Sequence, residues 1–358
     1  MKKIFTLIVC AAFITLKSNA QEGISDLFKG SPADVNKLLN AYTNPLFKGF
    51  GNSLNGGWAN TAKTQKLLRF NIRVSASVSI VPNADKSFDI NSLGLANVKA
   101  TNSSQSITPT FGGNTGTGAG ITISDPNHTQ ANDPVFYQNY QYKTTMPGGV
   151  VSYIPAPQVQ LTVGLIKNTD VTLRLIPTTK ITDDVGSLGL FGFGIKHNFA
   201  EDFGGASKAM PFDLALAVGY TRLDYEKPLD VRKNDNVAIP GQSLQGHFTG
   251  WNAQVILSKK LFFFTPFVSV GYLSSSTDVG LKGNFPFVTG VAPGATPGTG
   301  TPTYTMYTDP ISINGPSAST SGPRADAGFQ LSLFFLKIYA SYSFAEYQSA
   351  NAGIGLGF

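Results

Sequence analysis

Arginine grips a carboxylate through two parallel hydrogen bonds, and a cation inside a narrow, poorly hydrated space must be paired or must hold an anion. Seven positions have the residue types and spacing for that chemistry: Arg69, Arg73, Arg174, Lys196, Asp213, Arg324 and Asp326. Each falls on the polar side of a segment in which polar and apolar residues alternate, so that one face of an extended strand collects them all. Arg69 and Arg73 share the polar face of the first such segment. Five cations against two acids leave these faces positively biased. The chemistry that follows is recognition of an anion, or of the carboxylate head group of an apolar compound. The alternative is that the charges pair with one another and with the acids of an internal plug, Glu22, Asp26 and Asp34. Small residues recur on the same faces, at Gly192 and Gly194, at Ala215, Ala217 and Gly219, and at Gly353, Gly355 and Gly357. They leave room for a plug or a ligand, or relieve strain where a small barrel curves.

Catalysis finds little support. The chain has three histidines: His128 lies in a polar stretch, His197 shares parity with Phe193 and Ile195, and His247 shares parity with Trp251. None stands in a Gly-x-Ser-x-Gly context or at a paired-histidine metal spacing. Gly116-Thr117-Gly118-Ala119-Gly120 lacks the lysine of a phosphate loop. The expectation is a protein that is not an enzyme and has no cofactor or metal.

The elements that must position these residues are strands. From 67 to 81 the alternation is clean, with Phe70, Ile72, Val74, Ala76, Val78 and Ile80 against Arg69, Asn71, Arg73, Ser75, Ser77 and Ser79. Nine further segments follow, at 158–166, 169–177, 188–199, 212–225, 244–258, 261–275, 324–335, 337–346 and 350–358. Apolar outside and polar inside is the pattern of a transmembrane antiparallel β-barrel. Turn lengths agree, with tight connections near 167–170, 258–260 and 336–337 and long ones at 226–243 and 276–323. The stretch 82–157 holds either one outer loop or an additional pair of strands, and the expected total is about ten to fourteen, with twelve in the middle. Outer loops are expected at about 99–150 and 276–323.

The chain begins with Lys2, Lys3 and an apolar run to Leu16, then Ser18-Asn19-Ala20, the pattern of a secretory signal peptide over residues 1–20. Its removal takes away Lys2, Lys3 and Lys17 and the single cysteine, Cys10, lowering the net charge from +6 to +3. No disulfide or thiolate site remains, and an excess so mild is no nucleic-acid interface. Only 13% of residues are charged, against 38 Gly, 26 Phe and 13 Tyr, which suits a wall in lipid with aromatic girdles.

Residues 21–62 form an N-terminal helical segment ahead of the barrel at 63–358. Ser31-Pro32-Ala33-Asp34 is a helix start, Val35, Leu38, Leu39 and Tyr42 make one apolar stripe, and Asn44-Pro45 is a stop. The glycine-rich stretch 51–60 reads as a compact loop. The segment either lies against the barrel base or plugs the lumen.

The ending Asn351-Ala352-Gly353-Ile354-Gly355-Leu356-Gly357-Phe358 resembles the signal that the barrel-assembly machinery reads on the last strand. The runs Pro155-Ala156-Pro157-Gln158-Val159-Gln160-Leu161-Thr162-Val163-Gly164-Leu165, Leu190-Phe191-Gly192-Phe193-Gly194-Ile195-Lys196-His197, Pro211-Phe212-Asp213-Leu214 and Ser258-Lys259-Lys260-Leu261 resemble a functionally uncharacterised family of Gram-negative outer-membrane barrels. The likeness covers about 145–275 and the C-terminal strands, and implies the fold and the cell outer membrane. The order of segments is more distantly similar to the long-chain fatty acid outer-membrane transporters, with Asn60-Thr61-Ala62 where their hatch carries Asn-Pro-Ala. That similarity implies an N-terminal hatch and hydrophobic ligands that leave sideways through the wall. The partners expected are the lipid bilayer, the assembly machinery and a small apolar or amphipathic compound. The function expected is passive uptake or binding of that compound, the alternative being a structural or interaction protein without transport.

Overall fold

The computed structural model describes residues 31–357 apart from 184, 201, 203–210 and 233–237. The expectations for the signal peptide, Cys10, Glu22, Asp26 and Phe358 lie outside the described residues. Ten strands close into one antiparallel ring: β1 (Phe70–Ile80), β2 (Tyr153–Gly164), β3 (Thr169–Thr182), β4 (Gly186–Asn198), β5 (Asp213–Arg232), β6 (Ala238–Ser258), β7 (Phe264–Lys282), β8 (Thr320–Leu333), β9 (Leu336–Phe344) and β10 (Ser349–Gly357). Each strand pairs with its chain neighbours, and β1 pairs with β10 from Asn71↔Gly357 to Ser79↔Ser349, which closes the ring.

All ten expected segments are wall strands, and 82–157 adds no further pair. Its strands, Ser87–Asp89, Ile107–Pro109, Val98–Ala100, Gly120–Ser124 and Gln141–Thr145, pair with one another and, through a bridge from Tyr142 to Thr299, with the other long connection, and not with the wall. They are too short to span a bilayer, which needs about 9–11 tilted residues. The connection expected at 226–243 is also corrected. β5 and β6 stay paired out to Arg232↔Ala238, because backbone pairing does not stop where the outer face turns polar. Residues 276–323 divide likewise: β7 continues to Lys282, followed by a hairpin of Asn284–Ala292 with Thr301–Thr308.

The outer face shows what solvent the ring meets. Leu216, Val218 and Tyr220 on β5 and Phe212 just before it, like Phe191, Phe193 and Ile195 on β4, are exposed on it. Phe212 to Tyr220 spans about 26 Å along the strand at ~3.3 Å per residue, or about 20 Å along the axis at a ~40° tilt, close to a lipid core. Above this band Tyr220, Trp251 and Tyr272 form an aromatic belt, and then Arg222, Asp224 and His247 form an ion-paired cluster, with His247 Nδ1 2.6 Å from Asp224 Oδ1. At the end with short turns, Leu68, Phe262 and Phe334 sit at φ +60°, +51° and +55° and are 75%, 94% and 100% exposed. Bulky residues seldom accept that backbone conformation, and in water they would gain nothing from it. Buried in lipid at the band's edge, they do.

Ile195 lies near the middle of the apolar band. Ile195→Arg is therefore expected to destabilise the barrel by about 2–4 kcal/mol, the cost of a charge at the bilayer midplane, while Ile195→Leu stays near wild type. Equal unfolding midpoints for Ile195→Arg and the parent protein in lipid would contradict the assignment of faces.

Helix α1 (Pro32–Leu54) runs inside the ring. It starts as expected, with Ser31 Oγ accepting from Asp34 N at 3.3 Å and Pro32 in the first turn. It does not stop at Asn44-Pro45. Pro45 lies within the helix, and residues 51–54, expected as loop, are its last turn. An interior proline costs about 3 kcal/mol; here Phe47, Phe50 and Leu54 beyond it pack against other side chains and offset that cost. Enclosure follows from the partners. Ser53 Oγ meets Ser79 Oγ of β1 at 2.8 Å and donates to Ile154 O of β2 at 2.7 Å, while Asn55 Nδ2 donates to Ser274 O of β7 at 3.2 Å. Only a segment in the lumen reaches opposite walls. The fit is close: a Cβ on Gly51 would stand 2.3 Å from Ser275 Oγ.

Candidate functional site

The last turn of α1 leaves the carbonyls of residues 54–57 without helical donors, at the negative end of the helix dipole. Three arginines from three strands meet them. Arg174 of β3 donates from Nη1 to Leu54 O at 2.9 Å and from Nη2 to Gly56 O at 2.8 Å. Arg324 of β8 donates to Asn55 O at 3.3 Å, and Arg73 of β1 donates to Gly57 O. Asn252 and Gln158 add donors to Asn55 O and Ser53 O. The other face of the Arg174 guanidinium lies 3.8 Å from the centroid of Trp58, and the Arg73 guanidinium lies 4.9 Å from that of Tyr339. Trp58 in turn fills the hollow over two wall glycines, since a Cβ on Gly219 would stand 2.4 Å from its ring.

The candidate residues thus divide. Arg73, Arg174 and Arg324 come together, but around the plug's backbone carbonyls rather than a carboxylate. Among the described residues Arg73 and Arg174 make no ion pair, while Arg324 is held by Asp326 at 2.6 Å and Asp326 also accepts from Ser269. Lys196 sits a level closer to the turn end, 3.0 Å from Asp170 and donating to Thr61 O and Lys63 O. Asp213 stands apart, accepting from Asn198 at the rim. Arg69 is corrected: it is exposed in a basin at the turn end and does not join Arg73. Asp34 is corrected as well. It is buried at the opposite, loop end, accepting from the backbone of Ala96 and Asn97 at 2.8 Å, because the helix enters the barrel with its N-terminus at the loops. Of the small inner residues, Gly194 and Gly219 make room for Trp58, while Gly353, Gly355 and Gly357 lie against Ser75, Tyr339 and Lys337 of the neighbouring strands.

Asp170, Trp58, Asn252 and Gln158 were not foreseen. Asp170 has the inward parity of Thr172 and Arg174, a signal hidden by its position next to a turn. Trp58 follows Gly56-Gly57 outside any periodic segment.

Toward the loop end lies a cavity of about 490 Å³ with an apolar lining throughout, between one side of α1 (Leu39, Phe47, Phe50) and the inner faces of β4 to β7 (Leu223, Leu244, Phe248). The polar atoms near it are turned away. Tyr42 Oη donates to Gly148 O, Thr43 Oγ1 to Leu39 O and Tyr225 Oη to Val185 O. A cleft of about 20 Å³ adjoins it, sharing Phe50, Leu188 and Leu223 and reaching Ala156 and Pro157 of β2 and Ile176 of β3. There the wall is unzipped. β2 and β3 pair only from Gly164↔Asp170 to Gln160↔Arg174, although both strands run on toward the loops. Pro155, Pro157 and Pro177 lie in the unpaired halves and have no N–H for a ladder. Leu175, one step above the last pair, is 52% exposed on the outer face, so the seam begins within the lipid-facing band.

A closed ring with a lipid-facing band and a lumen filled by a segment of its own chain defines a transmembrane β-barrel with an internal plug. The chain belongs to DUF6588, a family of unknown function, whose pattern matches residues 1–358. A comparison with curated proteins finds no match. Among solved structures it is similar to Ail, the attachment invasion locus protein of Yersinia pestis, at 8% identity over 82% of this chain and 100% of that one, with a TM-score of 0.25. It is also similar to the translocator domain of the autotransporter NalP from Neisseria meningitidis, at 10% identity over 82% and 89%, with a TM-score of 0.27. The outer-membrane protease OmpT from Escherichia coli matches at 9% identity over 83% and 100%, with a TM-score of 0.27.

Proposed function

We propose that this protein is an outer-membrane barrel that binds a small apolar compound in its loop-end chamber and passes it to the membrane. The observation that carries the reading is the chamber itself. At about 490 Å³ it has the volume of a small-molecule site, and a wholly apolar cavity is a poor host for water and a good one for hydrocarbon. In this reading the loop end faces outward and the short turns face the periplasm. A straight path through the lumen is unfavourable, because the clamped segment 54–65 fills the turn-end half. The seam between β2 and β3 supports a sideways path into lipid.

Two measurements test this. An apolar fluorescent probe should bind the purified barrel, and Leu244→Glu, which sets a charge in the chamber lining, should weaken binding at least tenfold at unchanged barrel stability. Undiminished binding in that variant would remove the chamber from the account and favour a purely structural role. For the path, Pro157→Cys with Pro177→Cys, bridged by a short thiol cross-linker, should leave probe binding intact while slowing its transfer into the surrounding bilayer. Transfer at the parental rate after cross-linking would rule out the seam.

A further inference from the structure

The turn end carries a second cavity, unlike the first in every respect. It is a basin of about 340 Å³ whose lining includes Lys63, Lys66, Arg69, Lys260 and Lys337 and no aspartate or glutamate. Three stretches of chain converge there: the segment descending from the plug, the β6–β7 turn and the start of β9. None of the five cations makes an ion pair or a side-chain hydrogen bond among the described residues. Nearby Lys196, by contrast, is neutralised by Asp170. Five like charges in one concavity repel one another and focus a positive potential at its mouth, which a small anion of high charge relieves. A second observation places lipid at the rim. Phe334, fully exposed at positive φ, lines the basin, and Leu68 and Phe262 are exposed in the same backbone conformation on other turns of this end. They mark the height at which lipid head groups begin.

We infer that the basin is a phosphate-binding site, and that its occupant is the head group of an anionic phospholipid whose acyl chains lie outside the wall, over Phe334. Lysines suit this role as mobile point charges, able to follow a phosphate without a fixed bidentate geometry. The inference is independent of the loop-end chamber. It assigns the turn end a lipid-anchoring role, and it accounts for five cations gathered round a basin with no acid in its lining, on a chain with few charges.

The test uses the full barrel in nanodiscs of phosphatidylcholine containing a minority of phosphatidylglycerol. After transfer to mild detergent, mass spectrometry of the intact protein should show phosphatidylglycerol retained at least tenfold over its share of the bilayer. Lys66→Gln, Lys260→Gln and Lys337→Gln combined should abolish that enrichment, whereas Lys180→Gln with Lys282→Gln at the loop end should preserve it. Heat-modifiable mobility of each variant reports that the barrel remains folded. In a parallel arm, pyrophosphate is titrated into the barrel in pure phosphatidylcholine discs. Pyrophosphate binding that the triple variant loses, without lipid enrichment, would support the phosphate site and reassign it to a soluble ligand. Equal lipid retention by parent and triple variant, together with no pyrophosphate binding, would overturn the inference.

Discussion

Replacing Arg73 and Arg174 together with glutamine is expected to release the plug, destabilising the barrel by about 3–5 kcal/mol and turning a closed pore into a conducting one. Each arginine donates to carbonyls at the end of α1 that have no other charged donor, and a hydrogen bond to a charged group contributes about 1.5–3 kcal/mol. Truncating one partner of a buried, charge-assisted contact also leaves the other desolvated and unsatisfied. The two sites share one helix end, so the double variant should differ from the sum of the singles. Planar-bilayer conductance and the heat-modifiability midpoint read both consequences. A double variant with parental stability and no conductance would mean that the arginines do not hold the plug.

Trp58→Ala is expected to cost about 3–5 kcal/mol, the range for removing a large buried aromatic. Trp58 fills a hollow and also carries the guanidinium of Arg174 on its face, so its loss leaves both a cavity and a loosened clamp. The reciprocal change, Gly219→Leu, places carbon where the indole ring now lies and should cost about 1–3 kcal/mol by overpacking. Because one side chain fills the space the other vacates, the combined variant should be more stable than the two separate costs added together. Strict additivity in that cycle would show that Trp58 and Gly219 do not touch.

The ring was legible before the structure because a wall residue reports its environment through parity alone. Phe193 and Ile195 alternate with Gly192, Gly194 and Lys196, and no tertiary partner is needed to read that. The plug was harder, since Pro45 breaks helices in water and Gly51 and Gly56 read as loop. In the lumen the same residues are helix and close contact, because enclosure supplies partners that local propensity does not contain. The clamp was half visible. Parity turned Arg73, Arg174 and Arg324 inward, but a carbonyl partner has no signature of its own, so a carboxylate was expected in its place. The chamber did leave a trace. Leu188, Leu190 and Phe191 are apolar on both faces of β4, and an inward Leu where a barrel usually keeps polar residues is a wall of an apolar cavity. Arg69 fell outside the lumen because it precedes the first paired residue, Phe70, where parity no longer fixes a side chain's direction.

The central claim is that α1 occupies the lumen, and one disulfide tests it. Ser53 Oγ of the helix and Ser79 Oγ on the inner face of β1 are 2.8 Å apart, which brings cysteines at the two positions within reach of one another. With Cys10, the single cysteine, replaced by serine, a chain carrying Ser53→Cys and Ser79→Cys has only those two thiols. Mild oxidation of the barrel in lipid should consume both thiols nearly completely, while Ser53→Cys paired with Val78→Cys, whose side chain lies on the opposite face of β1, should leave both free. Two reactive thiols in the oxidised Ser53→Cys/Ser79→Cys barrel would place the helix outside the lumen and contradict the account.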